Sequence, residues 1–130
     1  MKEWLKILLK AAGIYNILWG AWVICMPAHF FTLIQQPVPD YLFIWQALGM
    51  VVGVYGLGYY IASYDPVRDR TLILVGFLGK LFGPPGAIFY ILKGDIPLAF
   101  LWLNVFNDFI WLIPFGMILW EAYGLKSKKL

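Results

Sequence analysis

Four runs of about twenty mostly apolar residues, 4–26, 41–64, 71–92 and 98–123, occupy most of this 130-residue chain. At about 1.5 Å of rise per residue, a helix of that length crosses a hydrocarbon core about 30 Å thick. Only 13% of the residues are charged and 62% are hydrophobic, whereas an ordinary soluble domain is roughly a quarter charged. A globule this small leaves much of its surface in water and cannot hide so many apolar side chains. The expectation is an all-α, four-transmembrane-helix antiparallel bundle, with residues 1–130 forming one membrane-embedded domain.

Local breakers mark where the spans end. Pro27 stops the first, and Pro37 and Pro39 make the segment from Ala28 to Asp40 a connector, with His29 to Ile34 apolar enough to lie along the interface. Asp65-Pro66 offers a helix start after the second span. Lys93-Gly94-Asp95-Ile96-Pro97 reads as a tight polar turn before the fourth. Inside the third span, Gly83-Pro84-Pro85-Gly86 removes two N–H donors and adds two flexible glycines, so that helix should be kinked or broken there. The first apolar run lacks a small-residue cleavage site and is followed by other such runs, so it reads as a retained span.

Basic residues set the direction, because Lys and Arg are retained on the cytoplasmic side. Lys2, Lys6, Lys10, Arg68, Arg70, Lys126, Lys128 and Lys129 fall on one side and Lys93 alone on the other. Both termini are therefore expected in the cytoplasm, as in a multi-pass protein of the cell inner membrane. Tyr41 and Trp45 then anchor at the outer interface, and Trp4, Tyr64, Trp120 and Tyr123 at the inner one. The Tyr59-Tyr60-Tyr64 group reads as part of that belt.

Each span also carries polar groups that lipid would penalise. Gly13, Asn16 and Gly20 share one helical face; Gln46, Gly49, Met50, Gly53 and Gly56 share another; Gly76, Gly79, Lys80 and Gly83 form a third. Small residues let helix backbones approach, so these stripes should be the packed faces. The fourth span contributes Asn104, Asn107, Asp108 and Trp111. Lys80 lies nine residues past Thr71 and Asp108 ten past Leu98, roughly 14 and 15 Å in from opposite surfaces. Both reach the midplane, as does Asn16, with Gln46 somewhat further out. A lone charge there costs at least roughly 2.5 kcal/mol. Lys80 and Asp108 are therefore expected to pair, with the asparagines completing the hydrogen bonds. That cluster (Asn16, Gln46, Lys80, Asn104, Asn107, Asp108) either fixes helix register or binds a ligand.

Other features exclude more than they suggest. Cys25 is the lone cysteine, so neither an intrachain disulfide nor a Cys-based metal site is available. His29 has no second ligand nearby in sequence, and no metal site is expected. Glu121 should form a solvated pair near the basic tail. No phosphate loop or nucleophile–base spacing is present. Although the net charge is +3, the basic residues form no water-facing patch for nucleic acid.

The segments Gly-Ile-Tyr-Asn-Ile-Leu-Trp-Gly (13–20), Trp-Gln-Ala-Leu-Gly-Met (45–50), Gly-Leu-Gly-Tyr-Tyr-Ile-Ala (56–62), Asp-Pro-Val-Arg (65–68), Gly-Phe-Leu-Gly-Lys (76–80) and Asn-Asp-Phe-Ile-Trp (107–111) together resemble small bacterial four-helix membrane proteins, distantly DoxX-like. The resemblance spans nearly the whole chain. It implies a membrane component of an oxidoreductase system, quinone-linked in some relatives. Similar sequences also carry peroxide-reductase labels, which the lone Cys25 argues against, because it lacks a resolving partner.

Three functions follow as expectations. The leading one is a non-catalytic component whose midplane site holds a quinone or lipid, or docks a partner subunit, either a second copy or a membrane oxidoreductase subunit. The others are a proton-coupled small transporter using Asp108 and Lys80, and an intramembrane isomerase or cyclase with Asp108 as general acid or base.

Overall fold

A computed structural model describes residues 1–128 and the side chains of residues 1–125. The lysines of the tail that bear on orientation, Lys126, Lys128 and Lys129, lie outside those side chains. The described residues form helices joined by loops, with no strand, and four of the helical stretches are long and apolar enough to cross a membrane: Glu3–Cys25, Leu42–Ala62, Arg70–Lys93 and Leu98–Leu125.

Helix α1 (Glu3–Cys25) ends one residue short of Met26-Pro27, where the Met26 N–H donates to the Trp22 carbonyl at 2.8 Å. A five-residue helix, α2 (His29–Leu33), follows, and Gln35 turns the chain away with a positive φ of 56°. Helix α3 (Leu42–Ala62) leads through a short loop into α4 (Arg70–Lys93). That helix closes on Gly94 in the left-handed region, φ 85°, where Gly94 N–H reaches the Ile91 carbonyl and Asp95 N–H the Tyr90 carbonyl, both at 3.0 Å. This crossed pair satisfies two of the orphan carbonyls of the helix end, and glycine adopts the required φ without a Cβ penalty.

The expected break at Gly83–Gly86 is absent: α4 continues through Pro84 and Pro85. Proline's fixed φ is helical, so what the pair removes is hydrogen bonds, leaving the carbonyls of Lys80 and Leu81 without their usual donors. The irregularity lies instead in the fourth span. It begins as a 3₁₀ turn (Leu98–Phe100), becomes α5 (Leu101–Asn104), widens to a π-helical turn (Val105–Phe109) and resumes as α6 (Ile110–Lys128).

Glycines set how the helices meet. A Cβ on Gly13 would stand 2.6 Å from the Gly56 carbonyl oxygen and 2.7 Å from the Tyr60 nitrogen, while Gly20 lies against Gly49 and Gly53. Rising numbers on α1 meet falling numbers on α3, so the two run in opposite directions with backbones nearly touching. Theirs is the most extensive interface in the molecule. Between α3 and α4, the absent side chain of Gly76 makes room for the Tyr59 hydroxyl.

The end of the molecule where α1 begins is densely packed. Leu5, Leu9 and Ala12 of α1, Tyr59 and Ala62 of α3, Ile73 of α4 and Phe115, Ile118 and Leu119 of α6 form one buried cluster. At the other end aromatic rings replace aliphatic packing. Phe30 and Phe31 of α2 lie against Trp45 and Phe100, and Trp19 meets Trp45 edge-on at 5.6 Å. The Trp22 indole N–H donates to His29 Nδ1 at 2.8 Å, tying α2 to α1. Outward faces are apolar, with Phe43, Val54, Phe82, Leu92 and Ile113 each more than half exposed.

Candidate functional site

A cavity of about 550 Å³ opens between these two ends, lined by α1, α3, α4 and the first half of the fourth span. That volume is in the range of small-molecule sites. The wall is mostly apolar, with a polar belt contributed by Asn16, Lys80, Asn104, Asn107 and Asp108. Five of the six residues expected from the sequence therefore meet here.

Gln46 does not. Its amide donates to the Ile24 carbonyl at 3.0 Å, satisfying one of the acceptors left free at the end of α1. Gln46 shares the glycine-bearing side of α3, but it reaches α1 at the aromatic end and takes no part in the cavity.

Lys80 is 6% exposed and reaches the cavity beside Gly79, whose open Cα face has no atom within 4 Å of a would-be Cβ. Its ammonium donates to the Asn107 main-chain carbonyl at 2.7 Å and lies 5.5 Å from the centroid of the Phe115 ring. The ion pair with Asp108 expected from depth is not made. Among the described residues, ion pairs occur at the ends of the helices: Lys2 with Glu121, Lys6 with Glu3, Arg68 with Asp69 and Lys93 with Asp95.

The π-helical turn explains the miss. Counting at 3.6 residues per turn puts Asn104, Asn107, Asp108 and Trp111 on one face, but a wider turn rotates everything after it. Asp108 instead bonds within its own span, accepting from Asn104 Nδ2 at 2.8 Å. The pair sits in the notch left by Gly83, whose would-be Cβ lies 2.9 Å from Asp108 Oδ2. Asn107 is turned to α1 and accepts from the Tyr15 hydroxyl at 2.5 Å. The Trp111 indole donates back to the Phe106 carbonyl at 2.9 Å. Each polar side chain of the π-turn region thus has one partner, and Lys80 takes the backbone acceptor closest to its level.

Asn16 completes the belt from α1. It is 4% exposed, its Cβ packs against Gly56, and its amide makes no side-chain hydrogen bond among the described residues. Two aromatic side chains expected in the interfacial belts also line the cavity. Tyr59 is 2% exposed and forms the inner end of the cavity, and Trp45, expected at the interface, lines the opposite end. The Trp45 indole nitrogen is buried without a hydrogen-bond partner. Both were legible in principle, since Trp45, Gly49, Val52, Gly56 and Tyr59 follow one helical stripe. Of the belt residues, Tyr60 and Tyr64 do stay outside, where the Lys10 ammonium lies over both rings.

The cavity rim is lipid-like in character. Leu48 of α3 and Val75 of α4 both line it and are 47% and 46% exposed, so the cleft between these two helices is open sideways. A second, aromatic chamber of about 320 Å³ lies across the wall made by Trp19, Leu103 and Asn107, under α2. Compared with models of known families, with curated proteins and with solved structures, the chain matches none.

Proposed function

We propose that the chain crosses the cell inner membrane four times as an antiparallel bundle with both termini in the cytoplasm, and serves as a non-catalytic component that binds a hydrophobic small molecule, a quinone or a lipid, at the midplane. The DoxX-like resemblance and a bend in α4 where Lys80 and Leu81 lack helical donors belong to the same proposal. One observation carries the binding reading: a cavity of about 550 Å³ brings together a buried lysine, an unpartnered buried asparagine and an apolar, laterally open rim. Structural glue would be expected to close on itself, with Lys80 on Asp108 and no space between. The sideways opening suits a ligand that arrives from the bilayer.

The orientation rests on Lys2, Lys6, Lys10, Arg68 and Arg70 sharing one end of the molecule. A partner subunit, whether a second copy or an oxidoreductase component, would be served by the exposed apolar faces.

Binding is tested by native mass spectrometry of the full chain in a mild detergent. A lipid-like adduct is expected to co-purify, and Gly79→Leu, which pushes a side chain into empty space, should remove it. A bare monomer in both proteins would end the binding reading.

A second reading is favoured by one feature: Asp108 lines the cavity, and among the described residues its Oδ1 has no hydrogen-bond donor. This is where a general acid or base for isomerising or cyclising a lipid-like substrate would stand. Turnover of a bound molecule that disappears in Asp108→Asn while binding persists would support it. Proton-coupled transport has less support, because the buried apolar cluster around Leu9, Tyr59 and Phe115 packs next to the cavity and offers no polar side chain to carry a proton beyond Lys80 and Tyr59.

A further inference from the structure

The cavity holds a lysine and an aspartate that do not touch each other, and this constrains what fits it. Lys80 has three ammonium protons and uses one, on the Asn107 carbonyl; Asp108 has two carboxylate oxygens and uses one, for Asn104. Neither residue is in ion-pair contact with the other, and both line the same space. The Asn16 amide lines the same cavity and makes no side-chain hydrogen bond among the described residues, and the Trp45 indole N–H is buried and unpartnered further along it. Around Asp108 the unmet group is an acceptor. A buried charge without a counter-charge is costly in this setting.

We infer that the occupant is a single-chain zwitterionic amphiphile, with its anionic oxygens on Lys80 and Asn16, its ammonium on Asp108, and its apolar chain leaving between α3 and α4. This rests on the binding reading above and narrows it. A neutral quinone would offer acceptors to Lys80 but nothing to Asp108. A purely anionic amphiphile would bring its charge up to the Asp108 carboxylate, and a purely cationic one would do the same at Lys80. A head with both charges supplies each residue with a counter-charge as well as a hydrogen-bond partner. A cavity of about 550 Å³ admits a head with one chain, and the exposed rim residues Leu48 and Val75 let the rest of that chain lie in lipid.

The test is a competition series on the purified full chain in detergent, read by tryptophan fluorescence, with four probes: lysophosphatidylethanolamine, lysophosphatidic acid, a long-chain primary amine and a short-chain ubiquinone. The zwitterion should bind at least about tenfold more tightly than either singly charged probe. Lys80→Met should erase its advantage over the amine, and Asp108→Asn its advantage over lysophosphatidic acid. Where a variant does not fold, the wild-type ranking decides alone. Equal affinity for zwitterion, anion and cation would overturn the inference. Tightest binding by ubiquinone would also overturn it while leaving the amphiphile site intact. Binding of none of the four, in wild type and Gly79→Leu alike, would overturn both.

Discussion

The two ends of this molecule are built by different means. At the end where α1 begins, aliphatic side chains interlock around the Phe115 ring: Leu5, Leu9, Ile73, Phe115 and Ile118 are all at most 1% exposed. At the other end α5 and the π-helical turn bury no residue at all, and α4 buries none beyond Pro84. The same four long helical stretches run through both. What changes is the side chains between them: bulky aromatic rings and polar groups fill space less evenly than branched aliphatics, and the gaps remain as the two chambers. Burial at this end is confined to α1, α2 and the α1–α3 seam, with Val23, Phe30 and Phe31 buried, and the side facing α4 and the fourth span stays open. The packed end holds the bundle together, and the loose end leaves room for a ligand.

The sharpest way to break that contrast is to empty the packed end. Phe115→Ala removes a fully buried ring that meets Tyr59 edge-on at 5.0 Å, and should destabilise the protein by about 3–5 kcal/mol in reversible unfolding from detergent micelles. A loss no larger than that of an equivalent change at the aromatic end would contradict the contrast. Overpacking the α1–α3 seam comes next. Gly13→Ala places a methyl 2.6 Å from the Gly56 carbonyl oxygen, and the expected cost is about 1–3 kcal/mol by the same measurement, since neither backbone can yield.

Effects at the loose end should be smaller on stability and larger on binding. Tyr15→Phe deletes the hydroxyl that donates to Asn107, for about 1 kcal/mol. Gly79→Leu should leave the melting temperature level or slightly raised, because the glycine has open space before it and a helix gains roughly 0.5–1 kcal/mol when glycine gives way to alanine-like backbone stiffness. If that variant melts markedly lower, the cavity is not free space. The smallest effect belongs to the loop between α3 and α4. Hydrogen bonds from Arg68, at 2.6 and 2.8 Å, hold the Asp69 carboxyl below its ordinary value. A lowered carboxylate stabilises the folded loop above the ordinary titration range, and that contribution is lost as pH falls through the lowered value. Amide exchange in this loop should therefore accelerate on acidification, and Arg68→Ala should remove the acid dependence.

Much of this architecture was legible in the residues. The four long helices follow from run length and hydropathy, because a span must satisfy its own backbone in lipid and only a helix does so within one segment. The α1–α3 seam follows from Gly13, Gly20, Gly49 and Gly56, whose spacing puts missing side chains on facing stripes. Depth alone brought Asn16, Lys80 and Asp108 to one level, since rise per residue is nearly constant. Rotation about the helix axis is less forgiving. One wider turn at Val105–Phe109 redirected Asn107 to Tyr15 and Asp108 to Asn104, and no composition or periodicity marks that turn in advance. Gln46 failed for a related reason: a long amide on the same side of α3 found a nearer acceptor at the end of α1.

The sequence by itself thus determined that polar groups would gather halfway along four apolar helices, because length and periodicity act along one chain at a time. Whether Lys80 and Asp108 would touch was decided only by the tertiary structure, because contact depends on the angle at which separate helices present their side chains. There the π-helical turn, the Gly83 notch and the unfilled space beside Gly79 kept the two charges apart, and left a cavity where a closed ion pair was expected.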